Sequence, residues 1–177
     1  MTKPEIITAT ENIFNQFSNA CRHIDETVLF KRPENKWSVA ENMQHLIIST
    51  NMSSLAYRLP VLLVRLIGGR PNRPSVTFED LKNKYETRLR EGARASGRFV
   101  PKPFDIKYGK EKLLLNWDLA TSTFIKSLTK NRTEKDLDNY LVKHPLLGKI
   151  TLRELCYFTI FHTEHHLNSI QKTIEPI

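Results

Sequence analysis

The sequence predicts an all-α fold, an up-down four-helix bundle, and three observations carry that prediction. Four long stretches repeat apolar residues at three- and four-residue steps. Two of these open on a Ser/Thr-x-x-Glu pattern, which closes a helix N-terminus with reciprocal side-chain bonds. Alternating strand patterns are almost absent.

Glu5 to Ile24 reads as the first helix, with Ile6, Ala9, Ile13, Phe17, Ala20 and Ile24 on one stripe. Pro33 and Asn35 mark a loop. Ser38 with Glu41 opens the second helix, which runs through Met43, Leu46 and Ile47 towards Gly68-Gly69, and Pro60 is expected to kink or break it. Arg70 to Phe104 reads as an insert with Pro71 and Pro74 at its start, a short helix over Phe78 to Arg90, and a Gly- and Pro-punctuated run from Gly92 to Pro103. The third long helix covers Lys110 to Thr129. Leu137 to Ile150 is an irregular arm or small hairpin turning at Pro145 and Gly148. Thr151 with Glu154 then caps the last helix, which reaches Ile174 before Pro176 ends it.

The 177 residues suit one domain, 1–177, with the basic insert 70–104 inside it. With 40% hydrophobic and 26% charged residues the composition is that of a globular protein and leaves too little apolar sequence for a membrane span. The longest candidate, Leu59 to Gly68, holds Pro60 and Arg65 and borders Arg58, so no membrane partner is expected. The first residues show no secretory pattern. The two cysteines, Cys21 and Cys156, fall in helical patterns, which argues against a disulfide framework and a thiolate metal site and for a reducing cytoplasm.

The net charge is +8, and its distribution is uneven. Residues 58–112 carry 14 basic and 6 acidic side chains, whereas the remainder carries 13 of each. Arg70, Arg73, Arg94 and Arg98 are candidates to attract an anion. No nucleic-acid motif accompanies them, so a solvated basic face is the stronger reading and nucleic acid the weaker one.

The chemistry-bearing residues are histidines. His162 and His166 stand at i and i+4 on the last helix, a spacing that lets both grip one ion. Leu155, Thr159 and Ile170 share their face while Glu154, Glu164 and Lys172 lie away from it, so the pair points inward. His165 falls on the polar side. On the second helix His45 shares a face with Asn42, Ser49, Met52, Ser53 and Ala56, several of them small enough to leave space. If the two helices pack together, the three imidazoles converge in the bundle core. A helical HxxxH alone also describes a hydrogen-bonded core pair, and both readings stay open on spacing. Thr163 stands where zinc proteases carry a general-base glutamate, which disfavours peptidase chemistry.

Trp37-Ser38-Val39-Ala40-Glu41-Asn42-Met43-Gln44-His45-Leu46 resembles the WSxxExxxHL segment of the DinB/YfiT-like superfamily of four-helix proteins. His144 to Leu152 is similar to that family's HPxxGxxTL arm, and His162 to Ile170 to its HxxxHHxxQI-like ending, with Ser169 where many relatives have Gln. The resemblance covers roughly 1–58 and 108–177 and does not reach the basic segment. It implies a divalent metal ion held by His45, His162 and His166 with an open position, and imidazole donors suit zinc or nickel. Glu41, one turn before His45, either orients that histidine or only closes its capping box. Relatives include S-transferases that use low-molecular-weight thiols, a thiol-dependent isomerase and predicted metal hydrolases. The resemblance thus implies attack by an activated thiol or water on a small electrophile, with a metal- or ligand-binding bundle without turnover as the alternative. A homodimer is compatible with it. His144 is expected to shape its turn, Trp37 to pack under the helix entry, and both cysteines to be buried.

Overall fold

The computed structural model describes residues 1–103 and 106–174. The elements are α1 (Lys3–Arg22), α2 (Glu26–Phe30), α3 (Val39–Arg58), α4 (Val61–Gly68), α5 (Phe78–Arg90), α6 (Lys110–Asn131), α7 (Glu134–Asn139), β1 (Leu141–His144), β2 (Gly148–Thr151) and α8 (Leu152–Ile174). Phe104, the expected end of the insert, and Pro176, the expected stop of the last helix, lie outside the described residues.

Both predicted capping boxes form. The Ser38 hydroxyl accepts from Glu41 N–H at 3.1 Å while the Glu41 carboxylate accepts from Ser38 N–H at 2.7 Å. Thr151 and Glu154 repeat the exchange at 3.1 and 2.9 Å. Pro60 breaks the chain between α3 and α4, which meet at 113°. The short helices α2 and α7 add to the predicted elements. Asp25 and Thr133 cap them, but one or two turns are too short to show a periodicity. The arm is a hairpin, with Leu141 opposite Thr151 and His144 opposite Gly148.

The four long helices α1, α3, α6 and α8 enclose a core dominated by Trp117, Phe14, Phe17, Phe124 and Tyr57. Phe14 meets both Trp117 and Phe124 edge-on, and Tyr57 meets Phe124 the same way. Each such side chain taken from water contributes roughly 1.5–3 kcal/mol.

Strict alternation of helix direction does not hold. The end of α1 lies at the start of α6, where Lys110 Nζ reaches the Arg22 and Ile24 carbonyls. The ends of α3 and α6 lie together, because Arg132, just past α6, donates to the Ala56 and Leu59 carbonyls that α3 leaves free. The starts of α1 and α8 also adjoin, with Arg153 donating to the Met1 carbonyl. The order is therefore up-down-down-up, with α3 and α6 parallel.

Parallel neighbours need a long return, and residues 70–103 lie on that return path. The part from Arg73 to Tyr85 packs on α8, and Phe99 reaches His45 on α3. Leu81 and Tyr85 are buried, and Phe78 meets Tyr157 and Phe161 edge-on. Glu154, which helical periodicity set away from the histidine face, is fully buried beneath this segment. It accepts from Val76 N–H at 2.7 Å and pairs with Arg73 through two bonds, one of 3.0 Å. Burial alone would raise the Glu154 carboxyl. The Arg73 guanidinium and the Val76 and Thr151 amides outweigh it and hold the group below its usual value. Among the described residues no single helix is long and apolar enough to cross a membrane.

Candidate metal centre

His45 projects from α3 two turns after its cap, and His162 and His166 project from the middle of α8, which runs antiparallel to α3. The Nε2 atoms of His45 and His162 are 3.0 Å apart, those of His166 and His162 3.2 Å. All three potential ligand atoms lie within 4.8 Å of one another, and all three residues are buried.

The outward nitrogens decide the chemistry. His45 Nδ1 faces the Phe99 carbonyl at 2.6 Å, and His166 Nδ1 faces Asn42 Oδ1 at 2.7 Å. The Asn42 amide is oriented by its own Nδ2, which donates to the Ser38 carbonyl at 2.8 Å. Neither oxygen has a proton to give, so both imidazoles carry their hydrogen on Nδ1 and turn an Nε2 lone pair inward. A neutral His162 can add at most one N–H among three mutually facing nitrogens.

Protonation is opposed as well. Burial, then the neighbouring histidines, holds His162 and His166 well below the ordinary value, and burial lowers His45 against the Phe99 bond. Deprotonated, inward-facing imidazoles with their far nitrogens engaged are the donor set a divalent cation requires, so the residues present fit one.

The cluster forms the floor of a cavity of about 590 Å³. Phe158 stacks on His162 at 4.6 Å and Trp37 stacks on His166 at 6.3 Å, so Trp37 is a wall of the site and not only packing under the helix entry. Tyr85 and Phe99 bring in the return segment as a second wall. The charged lining residues are Arg32, Lys36 and Arg94, and no described residue lining the cavity is Asp or Glu.

Glu41 serves the capping box, with Arg32 Nε at 3.5 Å, and does not orient His45, whose Nδ1 already faces Phe99. Of the four arginines, Arg94 lines the cavity while donating to the Leu89 and Ala93 carbonyls. Arg73 is committed to Glu154, and Arg70 and Arg98 are exposed away from the cavity lining. His144 Nδ1 accepts from the Leu146 and Leu147 amides at 3.2 Å each, which fixes its turn, and burial pushes it down to about 4. His165 lines the cavity outside the cluster. Cys21 and Cys156 are buried free thiols; Cys156 lies 3.0 Å from the Tyr57 hydroxyl.

Asn42 was visible on the histidine face, but its partnership with His166 crosses between two helices. The Phe99 carbonyl has no side-chain signature at all.

The family model described as the DinB superfamily matches residues 9–170. A solved structure described as TT2238, a four-helix bundle protein, aligns with a TM-score of 0.60 at 16% identity, covering 97% of this chain and 99% of that one. At that identity the likeness concerns the fold. None of the curated proteins matches.

Proposed function

The chain belongs to the DinB superfamily, and from that premise we propose that it holds a divalent ion, zinc or nickel, at His45, His162 and His166 and activates a low-molecular-weight thiol for attack on a small electrophile. The observation that carries this reading is the cavity: three imidazoles turned inward on its floor, cations at its sides and no carboxylate among its described lining residues.

A bound ion of this kind supplies Lewis acidity that makes a thiol ionise near neutral pH. The chain's own residues divide the remaining work. Phe99 and Asn42 hold two imidazoles in their ligating tautomers. Phe158, Trp37 and Tyr85 shield the floor from water, while Arg32, Lys36 and Arg94 attract acidic groups on the thiol. Hydrolysis is less well served, because no carboxylate stands ready to take a proton from water.

Elemental analysis of the purified protein is expected to find about one zinc or nickel per chain, and His162→Ala to lose it while keeping its helical spectrum. Metal-loaded protein is then expected to consume a carboxylate-bearing thiol in the presence of one of a panel of electrophiles, and a neutral thiol more slowly. Metal retained fully by His162→Ala overturns the site. Metal without thiol consumption leaves a binding bundle in place of an enzyme.

A further inference from the structure

Four of the large apolar side chains left exposed among the described residues lie on the eight residues of α4. Val64 and Gly68 face inward, and the helix lies so close to β1 that a Cβ on Gly68 would collide with the Leu141 carbonyl. The outer face presents Leu62, Leu66 and Ile67 at 66, 74 and 67% exposure, with Leu63 beside them at 39%. A soluble helix of eight residues has little reason to leave four large aliphatic side chains in water.

Charge surrounds this face on one side of the ledger only. There is no Asp or Glu between Glu41 and Glu79. Arg58 and Arg70 flank the helix and Arg65 lies on it; all three are exposed and make no ion pair or side-chain hydrogen bond among the described residues. Lys149 adds its Nζ beside Gly69, 3.7 Å from where a Cβ there would sit. The acidic groups of α7 and Glu154 of α8 are engaged elsewhere: Glu154 with Arg73, Glu134 and Asp138 with Arg153, and Asp136 with the α7 cap.

We propose that α4 docks the protein on an anionic lipid surface, with Leu62, Leu66 and Ile67 entering the headgroup boundary and Arg58, Arg65 and Arg70 meeting lipid phosphates. Exposed leucines beside unpaired arginines match both halves of such a surface. A second copy of this chain fits less well, since a two-fold contact through α4 brings like-charged arginines together. A nucleic acid would satisfy the arginines and leave the leucines in water. The expectation that no membrane partner exists rested on span length, which a helix lying on the surface does not need. At 113° to α3, α4 lies at the opposite end of that helix from Trp37, which lines the cavity.

The test is sedimentation of the full chain with vesicles of phosphatidylcholine alone and with about one-third phosphatidylglycerol. Binding is expected only to the anionic vesicles. Leu66→Glu with Ile67→Glu is expected to weaken it at least about tenfold, and Arg58→Gln with Arg65→Gln and Arg70→Gln about a hundredfold, each with unchanged circular dichroism. Leu119→Glu, an equally exposed leucine on α6, serves as control and is expected to bind as the parent does. Equal binding to both vesicles, or to neither, overturns the proposal. So does a dimer that Leu66→Glu dissociates, which assigns the face to a second copy. Binding to single-stranded RNA that Leu66→Glu leaves intact assigns the arginines to a nucleic acid and overturns it as well.

Discussion

The histidine floor and the segment that walls it are held by different means. On the floor, each of the three histidines rides on a long helix, and the two helices are joined by Asn42 reaching from α3 to His166 on α8. The wall has little regular structure apart from α5 and is fastened at a few points, chiefly the Glu154 carboxylate with Arg73 and Val76, and the buried side chains of Leu81 and Tyr85. Geometry on the floor is over-determined; on the wall it depends on single anchors. Changes at the anchors should therefore alter the wall without emptying the floor, and the reverse should hold for the ligands.

Glu154→Ala offers the harshest test. It removes a helix cap, a bond to Val76 and a partner for Arg73, and is expected to cost about 3 kcal/mol in urea unfolding. Arg73→Ala, whose side chain is 38% exposed, should cost about 1 kcal/mol or less. In Arg73→Ala, hydrogen exchange is expected to speed up across residues 74–78 while metal content stays whole. Loss of metal in that variant would mean the two regions are one unit.

The hairpin side of the cavity can be probed by pH. His144 is neutral in the fold and titrates at about 4, against an ordinary value of 6.5, so on acidification the unfolded chain takes up this proton first. Its contribution is complete above about pH 6.5, drains between 6.5 and 4, and amounts to about 3 kcal/mol across that interval. His144→Asn, which can still accept from the Leu146 and Leu147 amides, should flatten the metal-free stability profile in that window. An unchanged slope would assign it to the other buried histidines.

On the floor, Asn42→Ala is expected to weaken metal binding about tenfold, read by competition with a chelator, with unfolding stability reduced far less. Arg94→Gln should have the smallest effect: a few-fold higher KM for a carboxylate-bearing thiol, unchanged kcat and unchanged metal content. A fall in metal content there would show that the Phe99 carbonyl moved with its loop.

The same contrast explains what the sequence could show. Four helices, two caps, the break at Pro60 and the three histidines all leave local signals, in a periodicity, a four-residue motif or an i, i+4 pair. The direction of α6 leaves none, because a helix reads alike whether its neighbour is parallel or antiparallel. Residues 70–104 therefore read as an insert, and the structure places 70–103 on the path from α3 to α6. Glu154 was assigned by periodicity to the side away from the histidines, and what covers that side belongs to another part of the chain. Glu41 and Glu154 have the same motif and the same local bonds, yet Glu41 meets only Arg32 from the preceding loop, whereas Glu154 gathers the guanidinium of Arg73 and the amide of Val76 from far along the chain. The Phe99 carbonyl is a backbone group, which composition does not distinguish.

The parallel pair also limits how the chain can change. α3 spans about 30 Å, so the link from its end to the start of α6 must cross that length again, and even a fully extended chain needs about nine residues to do so. An alternating bundle can trim such a link to a tight turn; this one cannot. A stretch that must exist but whose content is loosely prescribed is free to vary, and here it passes over the histidines. Edits to this connector reshape the upper wall of the cavity and leave in place the helices that carry the three histidines.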